Sequence, residues 1–365
     1  MHRPPAECGR SLVFGLRGGD RADRGRTEGS GLVNPTATGI PNRSSSEARI
    51  RDDAGADPEG RRISLVERLA VSALLRGYAH APSITARLRP RMVAETWRRA
   101  DSWRRTLQEN GRIILGPDAG EAEIDAYGVG VLDHMQRYME GIAIASRQTP
   151  ERLLDRIGHV EGLDRFRTHF RDRDGRGIVM LSMHMGEFEP AAAFIGRHAP
   201  VHVLYHRDPI RTLENMRRRA RQRLGVIGHA VDDGLATWAE LRDGLDRGEV
   251  VALLGDRVQP GQRGTPLSVF GRKMEIPVGP FKLAESADAS VIPVFNWRLP
   301  DGGLALRMEE PLPMDGDLRR DPGNHSGVRR WVSMIQDVIS CHPTQWLNVR
   351  PVWQDDSSSK TRIAS

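Results

Sequence analysis

Lysine, cysteine and long apolar runs are all scarce in this sequence. Its basic side chains are almost all arginine, because lysine occurs only at Lys273, Lys282 and Lys360. The two cysteines, Cys8 and Cys341, are too few for a disulfide framework and lack the spacing of a metal site. No apolar run reaches the length of about eighteen residues that a transmembrane helix needs, and the apolar patch near the N-terminus is too short for a secretory signal. The sequence therefore predicts neither a membrane-spanning nor a disulfide-stapled protein.

The composition is that of a globular protein with an excess of positive charge. The chain has 365 residues, of which 38% are hydrophobic, a mean hydropathy of −0.48 and a formal net charge of +6. This length is enough for a substantial core. Most arginines are expected on a solvated surface, and the alternative is attraction to an anionic surface, either membrane phosphates or nucleic acid.

Composition and periodicity divide the chain into three parts. Residues 1–60 are rich in Gly, Ser, Pro, Arg and Asp without a lasting apolar period, which predicts a disordered tail. Residues 61–355 are predicted to form one domain. Its first part, 61–174, has only helical patterns, and Ser64 followed by Glu67 fits a capping box at the start of the first helix.

The second part of the domain, 175–355, alternates strands with helices. Apolar stretches at 176–184, 200–206, 249–256, 290–299 and 303–312 predict strands, and helical patterns lie between most of them. Strands that are apolar on both faces are typical of a parallel sheet covered on both sides. The predicted fold class is thus α/β, with a mostly parallel central sheet flanked by helices.

The first of these strands ends in the motif "HMGEFE", residues 184–189. Reactive groups in such sheets sit beyond the carboxyl ends of the strands, where both His184 and Asp256 are expected. Glu189 follows His184 by five residues, and a carboxylate on one imidazole nitrogen would leave the other free as a base. The chain has no Gly-x-Ser-x-Gly elbow and no evident cysteine nucleophile, so direct base-assisted transfer is favoured over a covalent acyl-enzyme.

Two other interpretations of His184 remain open. It could be a structural residue hydrogen-bonded at a strand end. It could also bind a metal together with Glu187, Glu189 and Asp256, whose side chains are permissible ligands. The chain lacks a second well-placed histidine for such a site, so no metal and no cofactor is predicted.

An ordered series of motifs resembles the bacterial lipid A late acyltransferases, the lauroyl and myristoyl transferases of the lysophospholipid acyltransferase superfamily. The resemblance spans roughly residues 62–354, and its motifs appear in order as "VEGLDRF", "HMGEFE", "YHR", "GDR", "VFGRKMEIPVGPFKLA" and "HPTQWLNVRPVW". It implies an enzyme that transfers an acyl group from an acyl carrier protein or coenzyme A thioester, used as a co-substrate, to a hydroxyl or amine of a lipid acceptor.

The resemblance also implies roles for particular residues. His184 would be the base and Glu189 the carboxylate that orients it. Asp256, Arg257 and Arg207 would shape the site or hold charged groups of the acceptor. Arg272 would contact a phosphate of the acceptor or of the donor pantetheine, and the backbone amide of Gly279, at the start of a helix, would stabilise an oxyanion or a phosphate.

The sequence departs from this family in ways that leave the acceptor open. The family usually opens with a hydrophobic membrane helix, where this chain has only the amphipathic stretch "ISLVERLAVSALLRGY". "GDRV" is similar to relatives from aryl-polyene pigment clusters, and "HPTQWLNVRPVW" resembles actinobacterial mannoside acyltransferases. A basic helical region with Trp97 and Trp103 suits peripheral docking at the cytoplasmic face of the plasma membrane, unless these faces pack on the domain itself.

Two rival functions belong to other classes. A thioesterase would use the same base to activate water, so that the fate of the acyl group separates it from a transferase. An arginine-rich nucleic-acid-binding protein would need a recognition motif, and no helix-turn-helix, zinc-finger or RNA-binding signature is evident. The motif at His184 would also have no explanation in such a protein, so nucleic acid is not a predicted partner.

Overall fold

Seven strands form the central sheet of the computed structural model, which describes residues 64–259, 262 and 264–354. The tail predicted for residues 1–60 lies outside the described residues. The strands lie in the order β1-β9-β8-β2-β5-β3-β4. They are β1 (Ile157–Glu161), β2 (Ile178–Ser182), β3 (Val201–Tyr205), β4 (Ile227–Ala230), β5 (Val250–Leu254), β8 (Ser290–Arg298) and β9 (Leu304–Met308).

Most neighbouring strands of this sheet are parallel, which confirms the predicted fold class. Strands β8, β2, β5, β3 and β4 all run in one direction, and β9 turns back to pair antiparallel with β8. Strand β1 pairs in parallel with β9 at the sheet edge. A second sheet of three strands has the order β10-β7-β6 and contains β6 (Thr265–Val269), β7 (Arg272–Ile276) and β10 (Trp353–Gln354).

Helices cover both faces of the central sheet, and the apolar run of β2 shows why. Successive strand residues point to opposite faces. Val179 and Leu181 therefore belong to the core beneath α9 (Leu235–Asp246), α10 (Gly279–Ser286) and α11 (Ser326–Cys341). Ile178 and Met180 belong to the core beneath α6 (Leu163–Asp172) and α7 (Phe188–Ile195). Each buried side chain of this kind contributes roughly 1.5–3 kcal/mol, so an unbroken apolar strand is stable only between two helical layers.

The N-terminal helices form a layer around one long helix. They are α1 (Leu65–His80), α2 (Pro82–Arg99), α3 (Asp101–Leu115), α4 (Glu121–Ala145) and α5 (Pro150–Leu154), and α8 (Arg211–Arg223), which lies between β3 and β4, joins this layer. Helix α4 packs against α1, α2, α3 and α8. The capping box is confirmed at the start of α1, where Ser64 Oγ accepts from the Glu67 amide at 3.2 Å and the Ser64 amide donates to Glu67 Oε2 at 2.8 Å.

Five strands of the described residues were not predicted from the sequence: β1, β4, β6, β7 and β10. The segment 150–172 was expected to be helical, but it contains β1 between α5 and α6, so the sheet begins upstream of the boundary expected at residue 175. Strand β4 lies between α8 and α9, and β6 and β7 form an antiparallel hairpin between β5 and α10. At the tip of that hairpin, Phe270 and Gly271 have φ of +51° and +75°, a conformation that glycine adopts at little cost.

The helices of the described residues, 64–354 apart from the gaps at 260–261 and 263, include none that is long and apolar enough to cross a membrane.

Candidate active site

His184 and Asp256 meet because two parallel strands are in register. Strand β2 pairs with β5 so that Ser182 lies beside Leu254. Each reactive side chain comes two residues after the end of its strand, so the register delivers both to the same place at the carboxyl edge of the sheet. His184 Nδ1 and Asp256 Oδ1 are 2.7 Å apart, and the His184 amide donates to the same oxygen at 3.2 Å.

The chain turns sharply between His184 and α7, and Gly186 makes the turn possible. Its φ is +66°, and a Cβ added there would lie 2.0 Å from Asn296 Oδ1. That amide oxygen in turn accepts from the Glu187 amide at 2.6 Å. Glycine thus supplies the left-handed backbone and the close approach that place the imidazole over the sheet edge.

The carboxylate of Asp256 is fully buried and has a partner on each oxygen. Oδ1 accepts from His184, and Oδ2 accepts from the indole Nε1 of Trp346 at 2.8 Å. Both Asp256 and Trp346 have no solvent exposure. The His184 side chain keeps 18% exposure, and no described residue hydrogen-bonds to its Nε2. The site therefore presents one imidazole nitrogen to solvent while the other is held by a buried acid.

The pKa values of this pair favour a neutral imidazole beside an ionised carboxylate. Burial lowers the pKa of His184, and the nearby Arg257 and Arg350 lower it further, which outweighs the opposing effect of Asp256. Burial alone would raise the pKa of Asp256, but the charge and hydrogen bond of His184, with smaller effects of Arg257 and Trp346, lower it to about 2. Such a histidine can accept a proton at neutral pH.

Arg257 forms hydrogen bonds that connect the C-terminal segment to the site. Its Nη1 donates to the Leu347 carbonyl at 3.1 Å and to Asn348 Oδ1 at 2.6 Å. Its Nε is shielded from solvent and has no hydrogen-bond partner. Burial and the neighbouring Arg350 lower the pKa of Arg257, whereas Asp256 opposes them. The guanidinium thus brings a positive charge close to His184 without forming an ion pair with Asp256 within 4 Å.

Glu187, the first carboxylate after His184, has a structural role. It accepts two hydrogen bonds from Arg156, at 2.7 and 2.8 Å, and one from Arg298. Its side chain is only 3% exposed, and a Cβ on Gly141 of α4 would lie 2.4 Å from its Oε2. The arrangement ties the turn after His184 to β8, to the residue before β1, and to the helical layer.

Glu189 does not hold the imidazole, contrary to the expected pairing. It lies in the first turn of α7, where Tyr138, Arg217 and Glu187 are among its neighbours, and its buried Oε2 has no hydrogen-bond partner. Burial raises the pKa of Glu189. The physical reason is that the strand register brings Asp256 to His184 Nδ1, while the first turn of α7 carries Glu189 toward α4 and α8.

The remaining residues expected at the site belong to elements other than β2 and β5, which the dyad follows. Arg207 follows β3 and is half exposed, with Nη2 2.8 Å from Asp233, so its charge is already balanced. Arg272 begins β7 in the smaller sheet and is exposed. Gly279 begins α10, where a Cβ would come no closer than 3.9 Å to its nearest neighbour, Trp238.

Trp346 and Arg350 were not identified from the sequence as site residues. Both lie in the C-terminal segment "HPTQWLNVRPVW", whose Leu347 amide donates to the His184 carbonyl at 2.7 Å. A tryptophan beside a glutamine gives no sequence signal of a hydrogen bond to a distant carboxylate. Over residues 64–259, 262 and 264–354, no group of three or more His, Cys, Asp or Glu side chains is arranged to hold a metal ion.

An imidazole held by a buried carboxylate at the carboxyl edge of a mostly parallel sheet is chemically able to accept a proton. The chain belongs to the bacterial lipid A biosynthesis acyltransferase family, whose profile matches residues 60–355. The family predicted from the ordered sequence motifs is thus confirmed.

Two similar proteins come from Mycobacterium tuberculosis. They are phosphatidylinositol mannoside acyltransferases of the strains ATCC 25618 / H37Rv and CDC 1551 / Oshkosh. Each is 25% identical to this chain over 214 residues, which cover 58% of this chain and 64% of the relative. The chain therefore spans less than two thirds of the length of these curated relatives.

Proposed function

We propose that the chain transfers a fatty acyl group from an acyl thioester to a hydroxyl or amine of a glycolipid acceptor. His184 acts as the general base, Asp256 orients it, and no covalent acyl-enzyme forms. The observation that carries the proposal is the 2.7 Å contact of His184 Nδ1 with Asp256, which leaves Nε2 free. Membership of the acyltransferase family supports the type of reaction.

The contact with Asp256 fixes the tautomer of the imidazole. An ionised carboxylate only accepts hydrogen bonds, so Nδ1 must carry the proton and Nε2 must carry the lone pair. The lowered pKa of His184 keeps this neutral form at pH 7. Once Nε2 accepts a proton, the imidazolium is stabilised by the buried charge of Asp256, as in other histidine–carboxylate sites.

The transfer then follows a balanced sequence of bond changes. The acceptor oxygen or nitrogen forms a bond to the thioester carbonyl carbon while its proton passes to His184 Nε2. The tetrahedral intermediate collapses, the carbon–sulfur bond breaks, and the proton passes from the imidazolium to the departing thiolate. The products are an acylated lipid and a free thiol of acyl carrier protein or coenzyme A. No described side chain hydrogen-bonds to Nε2, where an enzyme nucleophile would have to lie.

Positive charge near the base supports an acceptor or donor that carries phosphate. Arg257 and Arg350 both lie close enough to His184 to lower its pKa. Guanidinium groups suit phosphate oxygens, and they also stabilise the oxyanion of a tetrahedral intermediate. We assign these two arginines to the charged substrate groups ahead of Arg207, which is paired with Asp232 and Asp233, and of Arg272, which lies in the smaller sheet.

The surface around α1 and α8 supports a peripheral position on the cytoplasmic face of the plasma membrane. Leu65, Val66 and Leu69 of α1 are exposed by 71%, 75% and 60%. Helix α8 packs beside α1, with Thr212 Oγ1 2.9 Å from Ser72 Oγ. The exposed arginines of α8 make no ion pair with a described residue; they are Arg211, Arg218, Arg219 and Arg223. Apolar side chains beside surplus positive charge are typical of helices that bind anionic bilayers.

A transfer assay with purified protein tests the reaction. Vesicles containing a mannosylated phosphatidylinositol or lipid A precursor are mixed with a radiolabelled acyl thioester, supplied either on acyl carrier protein or on coenzyme A. The wild-type protein and the control variant His159→Gln, altered at an exposed position of β1, should move label to the lipid, and His184→Gln should not. Full transfer by His184→Gln would contradict the proposal, and release of label only as free fatty acid would indicate a thioesterase.

A further inference from the structure

We propose that Trp346 is a positioning residue that acts on the base through Asp256, an inference that rests on the proposed function. Its indole Nε1 donates to Asp256 Oδ2 at 2.8 Å, and both residues are fully buried. The hydrogen-bonded series therefore runs from Trp346 through Asp256 to His184. Trp346 has no solvent exposure and reaches His184 through Asp256, so its contribution is to the orientation and charge of the acid.

Asp256 needs a second partner because its two oxygens face different surroundings. Oδ1 already accepts from Nδ1 and from the backbone amide of His184. Oδ2 has Trp346 as its hydrogen-bond partner. The torsion that sets the plane of an aspartate carboxylate is broad, so one oxygen alone leaves that plane poorly defined. A buried charged oxygen without a donor is also costly, and the carboxylate would turn to find another one.

Several contacts hold the indole of Trp346 in place beside His184 and Asp256. Met185 forms a β-bridge with Trp346, and the next amide, of Leu347, donates to the His184 carbonyl at 2.7 Å. The ring of Trp353 packs edge-on against Trp346 at 6.2 Å between centroids. The preceding Gln345 makes two hydrogen bonds with the backbone of Arg298, at 2.8 and 2.9 Å. These contacts fix the indole relative to both His184 and the sheet.

The hydrogen bond also adjusts the basicity of the pair. Trp346 contributes to the lowered pKa of Asp256, because a donor stabilises the ionised form. Without this donor, the negative charge of Asp256 would be less neutralised by hydrogen bonding. The carboxylate would then stabilise the imidazolium form of His184 more strongly. The pKa of His184 would then rise, and a larger fraction of the base would be protonated near neutral pH.

Trp331 provides a matched control for this hydrogen bond. It is also fully buried, and its Nε1 donates at 2.8 Å to the carbonyl of Gly255, the residue next to Asp256. Replacing either tryptophan by phenylalanine removes a buried indole donor whose hydrogen bond has the same length. Only Trp346→Phe removes a donor from the carboxylate of Asp256. A general loss of stability should therefore appear in both variants, whereas a change in the pKa of His184 should appear only in Trp346→Phe.

The test compares pH profiles of acyl transfer for wild type, Trp346→Phe and Trp331→Phe. We expect Trp346→Phe to lower kcat by about ten- to a hundredfold with little change in KM, which is the loss expected for a hydrogen bond to a charged group. Its acid inflection in kcat/KM should move to higher pH. An inflection that stays where Trp331→Phe has it, or that moves to lower pH, would overturn the proposal.

A measurement on the wild-type protein keeps the proposal testable if Trp346→Phe does not fold. In protein labelled with ¹⁵N at histidine and tryptophan, the indole N–H resonance of Trp346 should titrate with the same midpoint as the His184 imidazole, and that of Trp331 should not. A Trp346 resonance that ignores the titration of His184 would overturn the proposal. This readout needs no substrate, so it separates a failure of the positioning role from a failure of the proposed acyl transfer.

Discussion

Nδ1 of His184 lies 2.7 Å from Oδ1 of Asp256, although the two residues are 72 positions apart in the chain. The in-register pairing of β2 with β5 creates this contact, and the indole of Trp346 completes it. The carboxylate in contact with the imidazole therefore follows a neighbouring strand, and it is not the nearer Glu189. That assignment leads to several expected outcomes.

Asp256→Asn should lower the acyl-transfer activity far more than Glu189→Gln. An asparagine keeps the shape but loses the negative charge, so kcat/KM should fall by about a thousandfold or more, as for comparable changes in serine proteases. The pKa of His184 should fall too, because Asp256 raises it in the wild-type protein. Glu189→Gln should leave that pKa at its wild-type value. Steady-state kinetics measure the loss of kcat/KM, and an NMR titration of His184 measures its pKa in each variant. A pKa shift in Glu189→Gln that is absent from Asp256→Asn would show that Glu189, and not Asp256, interacts with the imidazole.

The activity should persist to unusually low pH for a histidine base. The reactive form of His184 is the neutral one, and burial lowers its pKa below the ordinary value of about 6.5. The value of kcat/KM should therefore stay level as the pH is lowered through 7 and decline only below about 6.5, where the imidazole takes up a proton. A rate profile over this range checks the prediction. An inflection above the ordinary histidine value would show that the charge of Asp256 dominates over burial and Arg257.

Gly186→Ala should destabilise the protein by more than Gly175→Ala. Both glycines have positive φ, +66° and +75°, so an alanine at either position costs roughly 1–2 kcal/mol of backbone strain. At Gly175 an added Cβ meets nothing within 4 Å, whereas at Gly186 it would lie 2.0 Å from Asn296. Urea denaturation measures the free energy of unfolding of both variants. Because the backbone strain is common to both, the difference between them reports the steric overlap of the added Cβ with Asn296. An equal loss of stability in the two variants would mean that the turn after His184 can accommodate a Cβ at position 186.

Binding to anionic vesicles should depend on both α1 and α8. Replacing Leu65, Val66 and Leu69 together by serine should weaken binding at every salt concentration, because it removes apolar side chains. Replacing Arg218 and Arg219 by glutamine should weaken it mainly at low salt, where charge attraction is least screened. Leu235→Ser serves as the control, since this leucine of α9 is 88% exposed. Vesicle flotation gives the measurement, and equal binding by all variants would place the membrane contact elsewhere.

The sequence sufficed to predict the α/β class and the two ends of the dyad. The continuous apolar run of β2 indicates burial on both faces, and His184 and Asp256 were both expected beyond strand ends. The pairing with Glu189 was wrong because closeness along the chain was taken for closeness in space. Register between β2 and β5 is a tertiary property, although the equal distance of two residues from each strand end to His184 and Asp256 hints at it.

Other features depend on contacts that local patterns do not reveal. Strand β1 carries few apolar residues and forms because β9 offers it an edge, so its own sequence did not distinguish it from the helices on either side. The role of Trp346 depends on a carboxylate 90 positions away. Arg207 was expected at the site from its place in a motif, and its two aspartate neighbours come from the short 3₁₀ helix after β4.

The most direct test of the account is lipid mass spectrometry of cells in which the gene is deleted and then restored. Deletion should remove a glycolipid species and leave a precursor lighter by one acyl chain. The wild-type gene and the His159→Gln variant should restore the species, and the His184→Gln variant should not, although it accumulates as folded protein. Restoration of the acylated lipid by His184→Gln would contradict the claim that this imidazole is the base for acyl transfer.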